Sequence, residues 1–187
     1  MGEEWRDCMV TLYDLVGVKK LAPESGAGSA LMRRLHGTVA EALTDDLPTV
    51  HRAYCWNDSV LLLSYLGAGK GAPADVLRDA DRLKKRIDHI ANSYAVAVRG
   101  QAFPPPPGAP PPPRVNILEA SSYAMANCLV IEKELKHLKK AWYIDGRLAR
   151  HIRTSQRASR HSVALLPSGK SRSVYVYDGY LWSDGEL

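Results

Sequence analysis

Apolar and polar residues along this chain repeat with two periods, about two residues in some stretches and three to four in others, and the alternation predicts the elements. "MVTLYDLV", from Met9 to about Val16, is rich in β-branched and aromatic residues and predicts a strand. In "GSALMRRLHGTVAEAL", Leu31, Leu35, Val39 and Leu43 recur near helical spacing, with Ser29 placed to cap the helix. "TVHRAYCWNDSVLLLSYL" predicts a β-hairpin, with strands from about Thr49 to Trp56 and Ser59 to Leu66 joined at an Asn57-Asp58 turn. A second helix follows Pro73 and carries Val76, Leu83, Ile87 and Ile90 on one face; "YAVAVRGQAF" is then a fourth strand.

Strand, helix, hairpin, helix, strand is an α/β order of the α+β sandwich kind. It predicts a mostly antiparallel, ferredoxin-like sheet with helices packed on one face. Residues 104–113, "PPPPGAPPPP", hold a polyproline II conformation and cannot enter a sheet, so they predict an inserted loop, a semi-rigid connector rather than an SH3-like or WW-like ligand. Beyond it come a long helix from about Ser121, a short strand and turn in "AWYIDGRLARHI", and two strands flanking "PSGKS".

Composition narrows the class. With 187 residues, 45% of them hydrophobic, the chain suits one domain with a sizeable core, residues 1–187. No apolar stretch reaches membrane-spanning length, and "MGEEWRDC" is acidic where a secretory signal is basic, so a cytoplasmic protein without a membrane partner is expected. Cys8, Cys55 and Cys128 are odd in number and widely spaced, which favours packed, reduced thiols over disulfides or zinc. The histidines are scattered, so any metal is oxygen-bound. The net charge of +5 is concentrated between Lys133 and Arg172, a stripe that attracts polyanions such as a nucleoside triphosphate or nucleic acid, or is simply a solvated face. "GAGKGA", residues 67–72, lacks phosphate-loop spacing and reads as a turn.

Candidate chemistry begins with Asp14, a carboxylate inside an apolar strand, which needs a compensating cation or set of donors. With the first strand beside the hairpin, Asp14 and Asp58 converge at one end of the sheet, where they repel each other unless a cation lies between them. Mg²⁺ meets that need with one or two carboxylates, water and substrate phosphate oxygens. Taken singly, Asp58 is an ordinary turn former and Asp14 a strand-end residue.

"LYDLVGVKK" followed by "YCWNDSVLLL" resembles the catalytic domain of class III nucleotide cyclases, whose first strand and hairpin each carry a metal-binding aspartate. Asp14 and Asp58 match those positions, and the resemblance runs from Met9 to about Leu135, through "VRGQAF" and "SSYAMANCLVIEKEL". It implies two Mg²⁺ or Mn²⁺ ions per active site, held by Asp14 and Asp58 with a main-chain carbonyl near Leu15. It also implies cyclisation of a nucleoside triphosphate with loss of pyrophosphate, in a homodimer with active sites between protomers. Val16–Lys20 and the basic residues after Lys133 would then neutralise phosphates.

Two departures qualify the resemblance. Tyr54 stands where adenylyl cyclases have an adenine-reading lysine; with Arg99 on the later strand it is similar to the bacterial pyrimidine cyclases of Pycsar anti-phage defence, which implies UTP or CTP as substrate. Ala126 and Val130 stand where the family has an asparagine and an arginine; Asn127 is one residue away, which turns a helix by about 100°. Arg114, Lys136, Arg147 or a partner chain would then supply the missing charge. Two other classes stay open: a cyclase-like nucleotide-binding regulatory module without turnover, and a basic nucleic-acid-binding or Pro-rich adaptor. The cyclase reading expects no stable nucleic-acid partner.

Overall fold

The first strand is apolar on both faces, so it belongs in the middle of a sheet covered on both sides. The computed structural model, which describes residues 5–18, 26–67, 71–102, 123–152, 154 and 156–183, places it there. Its elements in chain order are β1 (Arg6–Leu15), α1 (Ala27–Asp45), β2 (Arg52–Trp56), β3 (Ser59–Tyr65), α2 (Pro73–Asp88), β4 (Ser93–Ala102), α3 (Tyr123–Leu135), β5 (Trp142–Asp145), α4 (Gly146–Ala149), β6 (Ser159–Ala164) and β7 (Ser171–Tyr177). One 3₁₀ turn, Lys136–Leu138, follows α3. The strands form a seven-stranded sheet in the order β2-β3-β1-β4-β5-β7-β6, antiparallel throughout except for the β4–β5 pair.

The two-residue period sorts β1 cleanly. Met9, Tyr13 and Leu15 face one side with Leu62 of β3, Ala97 of β4 and Ile144 of β5, and are covered by Leu35 and Val39 of α1 and Leu77 and Leu83 of α2. Cys8, Val10 and Leu12 face the other side with Leu61, Val96 and Val98, and are covered by Ala124, Cys128 and Ile131 of α3. The α+β sandwich and its mostly antiparallel sheet match the expectation, but the helices lie on both faces. Central strands whose alternate residues are all apolar expose a second surface that must be covered, and α3 covers it.

Smaller differences have local causes. Helix α1 begins at Ala27 behind Gly26, whose φ of 98° suits glycine, so Ser29 lies inside the helix rather than at its cap. Pro73 opens α2, where its missing N–H costs nothing. Cys8 and Cys128 are buried free thiols and Cys55 is partly buried. The proline run, Lys19, Lys20 and Arg114 lie outside the described residues. No helix among the described residues is long and apolar enough to cross a membrane.

Candidate active site

Strand β1 ends at the rim of the sheet, and its register fixes the neighbours of Asp14: Ser59 on β3 and Tyr94 on β4 stand directly opposite. Both donate to the carboxylate, Ser59 Oγ to Oδ1 at 2.7 Å and the Tyr94 hydroxyl to Oδ2 at 2.7 Å. Asp58 sits at the tip of the β2–β3 hairpin after Asn57, which adopts a left-handed φ of 49°. That tip is tied to the end of β1, because Leu15 N donates to the Asp58 carbonyl at 3.1 Å. Val16 N donates to Asn92 O at 2.8 Å, and Gly17, at φ 85°, turns the chain away.

Asp14, Leu15 and Asp58 line one cleft of about 830 Å³. Its other walls are Val16–Val18, Lys84 and Asp88 of α2, Tyr94, the lysines Lys136, Lys139 and Lys140 after α3, and Asp178–Tyr180 beyond β7. Lys84 is buried, yet its Nζ donates to Asp88 Oδ2 at 2.7 Å and to Ser93 O at 2.8 Å; burial lowers its pKa and the Asp88 carboxylate opposes that shift. Asp88 Oδ1 in turn accepts from Ser93 N and Oγ, at 2.9 and 2.7 Å. Burial, reinforced by the charges of Asp14 and Glu132, pushes the Tyr94 phenol far above its ordinary range, so it is a donor and never a phenolate at physiological pH. Lys136 pairs with Glu132 and Lys140 with Asp178.

The segment past β7 is fastened by side chains. Gln156 takes Gly179 N and gives a bond to Tyr180 O at 2.6 Å; the buried Asp81 accepts from Leu181 N at 2.9 Å, Trp182 N at 3.3 Å and Trp142 Nε1 at 3.0 Å. This wall of the cleft is therefore fixed to the body of the sheet and to α2.

The donor set is all oxygen, which suits a hard divalent cation. Each Asp14 oxygen accepts one hydrogen bond and keeps a lone pair, and among the described residues no hydrogen bond or ion pair occupies the Asp58 carboxylate. No group of three or more His, Cys, Asp or Glu side chains in metal-holding geometry occurs among the described residues. Mg²⁺ needs no such group, since it takes one or two carboxylates and fills the rest with water and phosphate oxygens.

The remaining candidate residues are not brought to this cleft. Tyr54 packs in the apolar layer beneath α3, opposite Leu61. Arg99 lies opposite Met9, five residues along β4 from Tyr94, about 17 Å at the strand repeat. Its guanidinium closes on Asp7 at 2.6 to 3.2 Å, so it is committed to a structural ion pair. Asn127 is buried on the sheet-facing side of α3, and its amide both donates to Leu166 O at 3.1 Å and accepts from Leu166 N at 2.8 Å. It clamps the β6–β7 connection and does not line the cleft. Arg147, a candidate for the missing charge, is held by Asp145 beside Arg99, away from the cleft.

Sequence reasoning missed Tyr94, Glu132, Lys84 and Asp88. One signal was available: Lys84 falls four residues after Ala80 and seven after Leu77, on the buried stripe of α2, where a lysine needs a partner. Tyr94 and Glu132 carry no such mark, because only strand register and helix placement bring them to Asp14.

Neither a protein-family model nor a curated protein sequence matches this chain. Solved structures do. The guanylyl cyclase Cya2 superposes with a TM-score of 0.62 at 10% identity, covering 96% of this chain and 95% of that one. The adenylyl cyclase CyaB from P. aeruginosa gives 0.63 at 13% identity, with 100% of both chains covered. The guanylate cyclase domain of RhGC from Catenaria anguillulae, in complex with GTP, gives 0.55 at 12% identity over 94% of this chain and 98% of that one. The chain has the fold of class III nucleotide cyclase catalytic domains.

Proposed function

We propose that this chain is a nucleotide cyclase, converting a nucleoside triphosphate into a 3′,5′-cyclic nucleotide and pyrophosphate. The observation that carries the reading is that Asp14 and Asp58 both line one lysine-bordered cleft, on a fold shared with adenylyl and guanylyl cyclases. Asp14 and Asp58, with the main-chain carbonyl of Leu15, are the groups to hold two Mg²⁺ or Mn²⁺ ions. When bound, such ions lower the pKa of the ribose 3′-hydroxyl and draw charge from the triphosphate.

The protein's part is positioning. Ser59 and Tyr94 fix the Asp14 carboxylate before substrate arrives, so little reorganisation accompanies the reaction. Lys136, Lys139 and Lys140 line the same cleft and neutralise phosphate oxygens. The 3′-oxygen bonds to the α-phosphorus as the bond to pyrophosphate breaks, and the hydroxyl proton passes to water.

Ala126 and Val130 carry neither an amide nor a guanidinium, and Asn127 is committed to Leu166. The groups absent from this chain's own cleft come from a second copy, so a homodimer with active sites at its interface is part of the reading. Within it, Tyr54 in place of the adenine-reading lysine favours UTP or CTP. Tyr54 and Arg99 lie away from their own cleft and reach a base only across the dimer, with Arg99 first released from Asp7. Cyclic UMP or cyclic CMP signalling in anti-phage defence is the cellular role this substrate implies.

The test is incubation with each of the four triphosphates and Mn²⁺, with pyrophosphate and product identified, beside Asp58→Ala. Wild type should consume a pyrimidine triphosphate, and the variant should lose roughly 100-fold or more, the scale on which removing one charge-stabilising group acts. Equal product from both refutes the reading, while turnover of ATP or GTP alone keeps the cyclase and discards the pyrimidine. The alternative of a nucleotide-binding module without turnover is favoured by Ala126 and Val130, and predicts triphosphate binding with no pyrophosphate from any nucleotide.

A further inference from the structure

Helix α3 lacks the family's nucleotide-facing residues, yet it touches the candidate cation site by another route. The Tyr94 hydroxyl lies 2.7 Å from Asp14 Oδ2 and 2.8 Å from Glu132 Oε1, and Lys136 Nζ lies 3.3 Å from that same Glu132 oxygen. The Tyr94 ring is braced edge-on against Tyr143 of β5, with centroids 6.1 Å apart and planes at 90°. A phenol has one proton, and an ionised carboxylate only accepts, so Tyr94 cannot serve both acids at once. Glu132 is partly relieved by Lys136, whereas among the described residues Asp14 is met by neutral donors alone, Ser59 and Tyr94.

We propose that Tyr94 is a positioning residue through which Glu132 of α3 sets the orientation of the Asp14 carboxylate, and with it the affinity of the cleft for a divalent cation. The proposal rests on the cation-binding role of Asp14 in the cyclase reading. Nothing in it requires turnover or a particular base. Partners that hydrogen-bond a ligating side chain commonly set metal affinity within a factor of about 10 to 100. Here that partner is bonded to a helix on the same face of the sheet as the Asp14 side chain, so α3 contributes to the site without contacting the nucleotide. Two residues joined through a shared partner should also be non-additive.

The experiment is Mn²⁺ titration of the full chain, without nucleotide, followed by electron paramagnetic resonance, on wild type, Asp14→Asn, Tyr94→Phe, Glu132→Gln and the Tyr94→Phe/Glu132→Gln pair. Thermal melting of each variant accompanies it, because a merely structural role for Tyr94 would move the melting temperature and leave Mn²⁺ affinity untouched. Tyr94→Phe should weaken Mn²⁺ binding by about 10-fold or more. Glu132→Gln, which ends the competition for the phenol proton and can itself donate to the phenol oxygen, should tighten it by a smaller factor, and should add nothing once the Tyr94 hydroxyl is gone.

Tyr94→Phe binding Mn²⁺ within twofold of wild type overturns the positioning role, as does a Glu132→Gln effect undiminished in the Tyr94→Phe background. If wild type binds no Mn²⁺, or Asp14→Asn binds it as wild type does, the cation site itself is wrong and both readings fall. Loss of binding in Asp14→Asn with no change in Tyr94→Phe removes this proposal alone.

Discussion

Asp81 offers the sharpest test of how the cleft wall is held. It is fully buried on α2, and its two oxygens take three N–H groups: Trp142 Nε1 and Leu181 N on Oδ1, Trp182 N on Oδ2. Asp81→Asn keeps the shape and one oxygen. With that oxygen on the side of the two donors, the new amide faces Trp182 N, one acceptor is lost, and the cost is about 1–3 kcal/mol. Asp81→Ala strands all three donors, each worth about 1–3 kcal/mol, and recovers part of that by removing a carboxylate whose burial already holds its pKa above the ordinary value. A net loss of about 3–5 kcal/mol is expected, the scale for breaking one side of a buried charged contact. At about 2–4 °C per kcal/mol for a chain of this size, the alanine variant should melt roughly 6–20 °C lower.

Urea unfolding at matched slope measures both values. Hydrogen exchange places the damage at Leu181 and Trp182, whose amides lose their acceptor. In wild type, those groups and Lys85, which donates to Trp182 O at 3.0 Å, keep the Asp178–Tyr180 wall in place. An alanine variant within about 0.5 kcal/mol of wild type would mean that water replaces Asp81 at no cost, and the account of this wall would be wrong.

Gly100 and the buried thiols give two further expectations. A Cβ at Gly100 would lie 2.6 Å from the Ala124 Cβ and 3.3 Å from its main chain, so Gly100→Ala should cost about 1–3 kcal/mol in urea midpoint and be partly rescued by Ala124→Gly; wild-type stability in the single variant refutes the close packing of α3 on β4. Burial, then the charge of Asp7, pushes the Cys8 thiol up to about 12 from an ordinary 9.0, and burial raises Cys128 as well, so their contribution is complete below pH 9 and lost as pH climbs toward 12. Because the unfolded chain releases those protons first, stability should fall by up to about 1.4 kcal/mol per pH unit per thiol above pH 9, and Cys8→Ala should remove its share of that slope; a flat midpoint from pH 9 to 11 contradicts the burial argument.

The elements were readable from the chain because their signals are local. The hairpin at Asn57-Asp58, the proline-led α2 and the strands beside "PSGKS" appear where periodicity and turn residues place them. The sequence also singles out Asp14, a carboxylate in an apolar strand, and Asp58, at a turn, and both line the same cleft. What was not legible depends on register or on rotation about a helix axis. Tyr94 matters because β4 pairs with β1 so that it meets Asp14, a fact that no window of sequence contains. Arg99 reads as a free cation until the same register sets it diagonally beside Asp7, which pairs with its guanidinium. Asn127 is turned toward the sheet with Ala124, Cys128 and Ile131, and its amide bonds to Leu166.

The charges of the cleft argue for what it binds. Lys84 is held by Asp88, Lys136 by Glu132 and Lys140 by Asp178, so among the described residues three of the four lysines lining it are already paired. Among the described residues Asp14 meets only neutral donors, and no cation is paired with Asp58. A groove built for nucleic acid would present unpaired basic groups along its length, with affinity falling steeply as salt replaces released counterions. Here two carboxylates that no described cation compensates repel a bare polyphosphate from the end of β1, while Lys139 and the paired lysines soften the field along the rest of the wall. A site that repels phosphate at one end accepts it there only with a divalent cation between, and phosphate oxygens in turn add ligands to a cation that Asp14 and Asp58 hold without them. Cation and triphosphate should therefore bind with mutual reinforcement, each raising the affinity for the other by the same factor. That reciprocity is the physical content of the cyclase reading, and it separates this cleft from a basic surface that takes any polyanion.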